Sequence, residues 1–132
     1  SARQSPVWMV HTAAAPATAR AAWEAQGATL IEVETTPEGH TSSRAALEAL
    51  AAKGLTRVLC EGGGELAASL VREGLVDDLA SYTAGALIGA DGRAGLGPLG
   101  LAALTDAPRL KLREDCSLGP DRFSLWSFPQ PE

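Results

Sequence analysis

The chain has 132 residues, a net charge of −5 at pH 7 and two cysteines. That length supports one domain with a core of its own, and the acidic balance excludes nonspecific nucleic-acid binding, which needs clustered Lys and Arg. No apolar run is long enough to span a bilayer, and the start lacks the basic-then-apolar pattern of a signal peptide, so no membrane partner and a cytoplasmic setting are expected.

Val7-Trp8-Met9-Val10 reads as a short apolar strand. Pro16 to Gln26 reads as an alanine-rich helix closed by Gly27, glycine being the usual residue just past a helix end. Thr29 to Val33 is a second strand. Ser42 or Ser43 caps a helix running to Lys53, closed by Gly54, with Ala46, Leu47, Leu50 and Ala51 on its apolar side. Arg57 to Glu61 reads as a third, buried strand, and Gly64 to Glu73 as a third helix closed by Gly74. Three βα units in a row imply parallel strands with helical crossovers. The rhythm then changes. Asp78 to Thr83 is a strand, and Gly85 to Gly100 is a connection too rich in glycine to be core. Arg109 to Cys116 and Arg122 to Phe128 read as strands joined by a hairpin loop at Leu118-Gly119-Pro120-Asp121. Pro129 to Glu132 reads as a loose tail. The expected class is α/β, with an antiparallel ending on a parallel start.

The most informative stretch is Glu61-Gly62-Gly63-Gly64-Glu65-Leu66-Ala67. Three adjacent glycines remove every Cβ from the turn and make positive φ inexpensive. The helix that follows aims its free N–H groups and positive dipole end at the same place. The turn therefore suits an anion, above all a nucleotide pyrophosphate. It is neither G-x-G-x-x-G nor a Walker A loop, and a tight strand-to-helix turn that binds nothing has the same composition.

The run from Val58 through Gly92 resembles the reductase domain of the bifunctional riboflavin-biosynthesis deaminase/reductase, which has the dihydrofolate-reductase-like fold. Glu61-Gly62-Gly63-Gly64 and Gly74-Leu75-Val76-Asp77-Asp78 carry the resemblance most specifically. The segment Leu104 to Leu112 and the closing strand after Gly119-Pro120-Asp121 also fit. The resemblance is strong from Arg57 to Phe128 and weaker, but compatible, from Pro6 to Lys53. It implies an NADPH-dependent reductase acting on 5-amino-6-(5-phosphoribosylamino)uracil, with no catalytic side chain of its own assigned. Gly62, Gly63, Gly64, Glu65, Leu66 and Ala67 match the NADP pyrophosphate loop, Thr12 the adenosine side, and Glu61 the glutamate that contacts substrate. A homodimer and a cis peptide at Gly62–Gly63 are also implied. The family's domain opens with a strand bearing a Ser-Leu-Asp-Gly-like segment that nothing here matches, so the chain is expected to be the C-terminal portion of such a domain, and incomplete for turnover. Two alternatives stay open: another reductase of this fold acting on a pterin or pyrimidine, and a non-catalytic nucleotide-binding or dimerisation module.

Other polar residues have plainer explanations. The plainer reading of Glu61 is an exposed strand-end carboxylate. Glu65 would repel a phosphate if it pointed inward, so it is expected to face solvent and offer its backbone N–H. His11 and His40 lack partners at ligand spacing, and no metal site is expected. Asp77-Asp78 turns the chain into a strand. Trp8, Trp23 and Trp126 are expected in packing. Cys60 and Cys116 fit no metal spacing and fall in predicted strands, as buried free thiols. Arg20, Arg44 and Arg93 are equal candidates for a 2′-phosphate.

Overall fold

The computed structural model describes residues 4–129, so part of the expected C-terminal tail, 130–132, lies outside them. The described residues sort into two compact units that meet between Leu59 and Cys60.

The first unit contains β1 (Trp8–His11), α1 (Ala17–Ala25), β2 (Thr29–Glu32) and α2 (Ser43–Ala52). β1 and β2 pair in parallel, with Trp8 opposite Thr29 and His11 opposite Glu32. Parallel strands need a crossover, and α1 supplies it. Ile31 and Ala28 are buried here, as is Ser43 at the start of α2. Arg20 on α1 reaches Glu32 on β2 at 3.7 Å. The Lys53 ammonium stands 5.8 Å from the Trp8 ring centroid, within range of a cation–π attraction.

The second unit contains α3 (Gly64–Arg72), β3 (Asp78–Thr83), β4 (Lys111–Leu118) and β5 (Asp121–Ser127). The strands form an antiparallel sheet in the order β3-β5-β4. Asp78 opens β3 and accepts a hydrogen bond from the Ser127 hydroxyl at 2.6 Å, while the Asp77 carbonyl accepts from the Phe128 N–H at 2.8 Å. Asp77-Asp78 thus starts the β3–β5 ladder, as expected of a turn. The β4–β5 hairpin closes at Gly119-Pro120, Leu118 facing Asp121, and Gly119 takes φ +61°. Across the hairpin Arg122 pairs with Asp115 and holds that carboxyl below its ordinary range.

One rule ends all three helices. Gly27, Gly54 and Gly74 each take positive φ just past the helix, and the next residue's N–H turns back to a carbonyl of the last turn: Ala28 to Trp23 (3.1 Å), Leu55 to Leu50 (3.2 Å), Leu75 to Leu70 (3.0 Å). Only glycine adopts that left-handed conformation at no steric cost, and the returning bonds satisfy orphaned carbonyls.

Two expectations change. Arg57 to Glu61 is not a strand: residues 55–63 join no ladder, and all of them are exposed. A buried parallel strand needs neighbours on its edges, and neither sheet offers one. Only one of the three expected βα units therefore yields a parallel pair, and the parallel and antiparallel ladders are separate sheets. The core is also smaller than the composition implies. Among the described residues, Ala28, Ile31 and Ala68 are the buried apolar side chains, while Leu59, Tyr82, Leu87, Ile88 and Leu104 are largely exposed. Trp23 is exposed as well, not packed.

Ser42 caps α2, its hydroxyl accepting from the Ala45 N–H at 3.2 Å. Ser42→Ala should cost about 1 kcal/mol of stability through loss of that cap. Urea unfolding, read as a lowered midpoint with an unchanged slope, checks it.

Candidate functional site

The glycine turn leads directly into α3. Gly63 is the N-cap residue, at φ −69° and ψ 169°, and the intrahelical ladder begins with the Ala67 N–H bonding to the Gly63 carbonyl at 3.1 Å. The amides of Gly64, Glu65 and Leu66 come before that bond and have no partner within the helix. Glycine brings no capping side chain. Arg72 in the last turn and Glu65 in the first both complement the helix dipole.

The three glycines have different surroundings, and none of them takes positive φ. A Cβ on Gly62 would lie 2.6 Å from Leu66 Cδ2, at the end of a flexible side chain. A Cβ on Gly64 would lie 2.8 Å from the Ala94 carbonyl oxygen, 3.2 Å from the Gly97 nitrogen and 3.3 Å from the Gly95 oxygen. A Cβ on Gly63 would meet nothing within 4 Å. The chain's own packing thus explains glycine at 64, whereas at 62 a movable leucine end could give way. At 63 the space stays open, beside the unpartnered amides. No peptide bond among the described residues is cis, which corrects the expectation for Gly62–Gly63. With Gly63 extended and Gly64 already helical, the trans chain makes the turn without it.

Residues 62–67 run from the glycine turn into the first turn of α3. Glu61 precedes them and is exposed. Glu65 is exposed, as expected, with its Oε1 3.0 Å from where a Gly97 Cβ would stand. Thr12 lies in the first unit, just after β1, where its carbonyl accepts from the Ala15 N–H at 3.0 Å and contacts the His11 Nδ1 at 3.0 Å. The three arginines also separate. Arg20 and Arg44 belong to the first unit and Arg93 to the second. Cys60 is exposed and Cys116 half-buried, so neither is the buried thiol expected. Cys60 falls in the stretch that forms no strand, and so nothing covers it. No group of three His, Cys, Asp or Glu among the described residues could hold a metal ion, and no helix there is long and apolar enough to cross a membrane.

The 94–97 loop is the part of the site that sequence reasoning missed. It packs backbone-to-backbone on the first turn of α3, with the Gly97 N–H donating to the Gly64 carbonyl at 2.9 Å. One residue later, the Pro98 carbonyl accepts from Arg72 at 2.7 Å. Beyond that point Leu99, Leu101, Asp106 and Pro108 line an open cleft of about 400 Å³ with Val71 and Arg72. The available signal was the glycine spacing at 92, 95 and 97, within a connection that composition alone marks as peripheral.

The RibD C-terminal domain family model matches residues 2–123. The chain is 39% identical over 85 residues to the riboflavin biosynthesis protein RibD of Escherichia coli (strain K12), a match covering 64% of this chain and 23% of that protein. Among solved structures, form 1 of Acinetobacter baumannii RibD superposes with a TM-score of 0.74 at 23% identity, over 96% of this chain and 33% of that one. A pyrimidine reductase-like protein of Corynebacterium diphtheriae gives 0.61 at 20% identity, over 94% and 50%. The chain thus spans a quarter to a half of the length of these relatives. The structural likenesses establish the fold, which is dihydrofolate-reductase-like α/β.

The contrast between the glycines can be measured. Gly64→Ala should destabilise by roughly 1–3 kcal/mol, since its methyl would overpack against backbone atoms. Gly63→Ser should leave the melting temperature unchanged or raise it, because the site is open and serine is a good N-cap. Thermal unfolding of the two variants side by side checks both.

Proposed function

This chain belongs to the RibD C-terminal domain family, and from that premise we propose that it is the dinucleotide-binding portion of a riboflavin-biosynthesis reductase. The reaction is the NADPH-dependent reduction of 5-amino-6-(5-phosphoribosylamino)uracil to its ribitylamino form. One observation carries the reading: Gly63 is open within 4 Å, at the uncapped start of α3. The absence of a side chain there has no use within the fold, and a ligand's phosphates give it one.

In this reading the amides of Gly64, Glu65 and Leu66 hold the pyrophosphate, and the helix dipole favours its charge. When bound, NADPH supplies the hydride that reduces the sugar's C1′. Glu61, exposed next to the glycines, accepts hydrogen bonds from substrate hydroxyls or ring N–H groups, as an ionised carboxylate can. It orients the substrate and carries no proton in the reduction.

A homodimer is part of the proposal. Leu79 and Leu112, both opposite Trp126 and so on one face of the three-stranded sheet, are each more than a third accessible. Burying them against a second copy is favourable by roughly 25 cal/mol per Å².

Two measurements test the proposal. Gly63→Val should remain folded by circular dichroism, since φ −69° and ψ 169° suit a branched residue, yet bind NADPH at least about tenfold more weakly, roughly 1.4 kcal/mol. Intact affinity in the folded variant would refute the pyrophosphate assignment. Light scattering of the purified protein should give twice the chain mass, and a clean monomer would remove the dimer from the proposal.

A further inference from the structure

Residues 56–62 make no backbone hydrogen bond among the described residues. The run is bounded on both sides. The Leu55 N–H is committed to the Leu50 carbonyl at 3.2 Å, and the Gly63 carbonyl to the Ala67 N–H at 3.1 Å. Between those two bonds no residue takes positive φ, and every residue is exposed. Water satisfies the free N–H and C=O groups, but it leaves apolar surface uncovered: Val58 is 51% accessible and Leu59 80%. A row of unpaired backbone groups beside apolar side chains is what an added strand binds.

The side chains specify which strand. Arg57 and Glu61 stand at equal distances from Leu59 and carry opposite charges. Antiparallel pairing of two copies about Leu59 sets each Arg57 opposite the other copy's Glu61, each Val58 opposite a Cys60, and Leu59 opposite itself. Facing opposite charges and facing apolar side chains both stabilise such a pair. Thr56 then faces Gly62, so the free backbone run, 56–62, has the same centre as the charge pattern. Other arrangements lose this match. A slip of one residue sets Glu61 opposite Val58 or Thr56, and Arg57 opposite Gly62 or Cys60. Parallel pairing sets Arg57 on Arg57 and Glu61 on Glu61, like charges that destabilise.

Resting on the reading that the protein is a homodimer, we propose that its two copies join through residues 56–62, as an antiparallel strand pair centred on Leu59. The contact is the same patch on both copies, so it closes at two. Along one face of the pair run Arg57, Leu59 and Glu61, with the leucines at the axis and an ion pair on either side; Val58 and Cys60 share the other face. Cys60 faces Val58. Its own counterpart lies diagonally across, at about 7–8 Å, beyond disulfide reach.

The test places a cysteine on the axis. Leu59→Cys in a Cys60→Ser background should form an intermolecular disulfide on mild oxidation, because directly opposite residues stand about 4.5–5.5 Å apart. Thr56→Cys in the same background should not, since its counterpart lies about 20 Å away along the pair. Non-reducing electrophoresis reads both, with Cys60→Ser alone as the baseline for Cys116. Separately, Arg57→Glu or Glu61→Arg should weaken dimerisation by roughly tenfold in sedimentation, because like charges then face each other twice, and the double exchange should restore it. The proposal is overturned by a protein that stays dimeric without cross-linking at 59, by equal cross-linking at 56, by a double exchange that rescues nothing, or by wild-type assemblies that grow past two copies. A wild-type protein that is monomeric at every concentration overturns the homodimer reading itself and this pairing with it, so the two failures are told apart.

Discussion

Where Gly64 meets Gly97, the two backbones lie so that a Cβ on either residue would be crowded. The Gly97 N–H reaches the Gly64 carbonyl at 2.9 Å, and a methyl on either residue would fall at about 3 Å from a backbone or carboxylate oxygen. This contact ties a long glycine-rich connection to the start of α3. It leaves Gly63 as the position where the missing side chain serves nothing inside the fold. The start of α3 and the course of the 94–97 loop both depend on it. Arg72 adds a second tether at the other end of the helix, through the Pro98 carbonyl, so the loop is held against α3 at both ends.

Much of this molecule can be read locally. Helix ends are marked by glycines at 27, 54 and 74 because the left-handed cap is a property of single residues. Ser42 announces α2 for a similarly local reason. The hairpin at Gly119-Pro120 and the strand at Asp78–Thr83 also agree with the reading from residues alone. Residues 62–67 are legible as a turn into a helix, and the structure gives each glycine different surroundings.

Non-local relations were not legible. Val58-Leu59-Cys60 has the composition of a strand buried on both faces, but a ladder requires partners that no local pattern encodes. The same limit explains the exposed Cys60 and the small core. It also explains why the 94–97 loop read as peripheral: its contact with Gly64 spans some thirty residues of sequence, and glycine spacing carries no address. The three arginines were equivalent on paper. They differ only once the fold pairs Arg20 with Glu32 and brings the chain next to Arg93 against α3.

The exposed stretch before the glycines has a consequence for solubility. Val58-Leu59-Cys60 is apolar, open and unpaired, the kind of segment that recruits identical segments into intermolecular β-structure. Arg57 and Glu61 flank it, one charge on each side, in the position of gatekeepers. Glu61 therefore answers to two pressures, one from any ligand beside the glycines and one from colloidal behaviour. A neutral residue at 61 removes a guard against aggregation whatever it does to binding. Soluble yield and specific activity must be separated before any loss in such a variant is credited to chemistry.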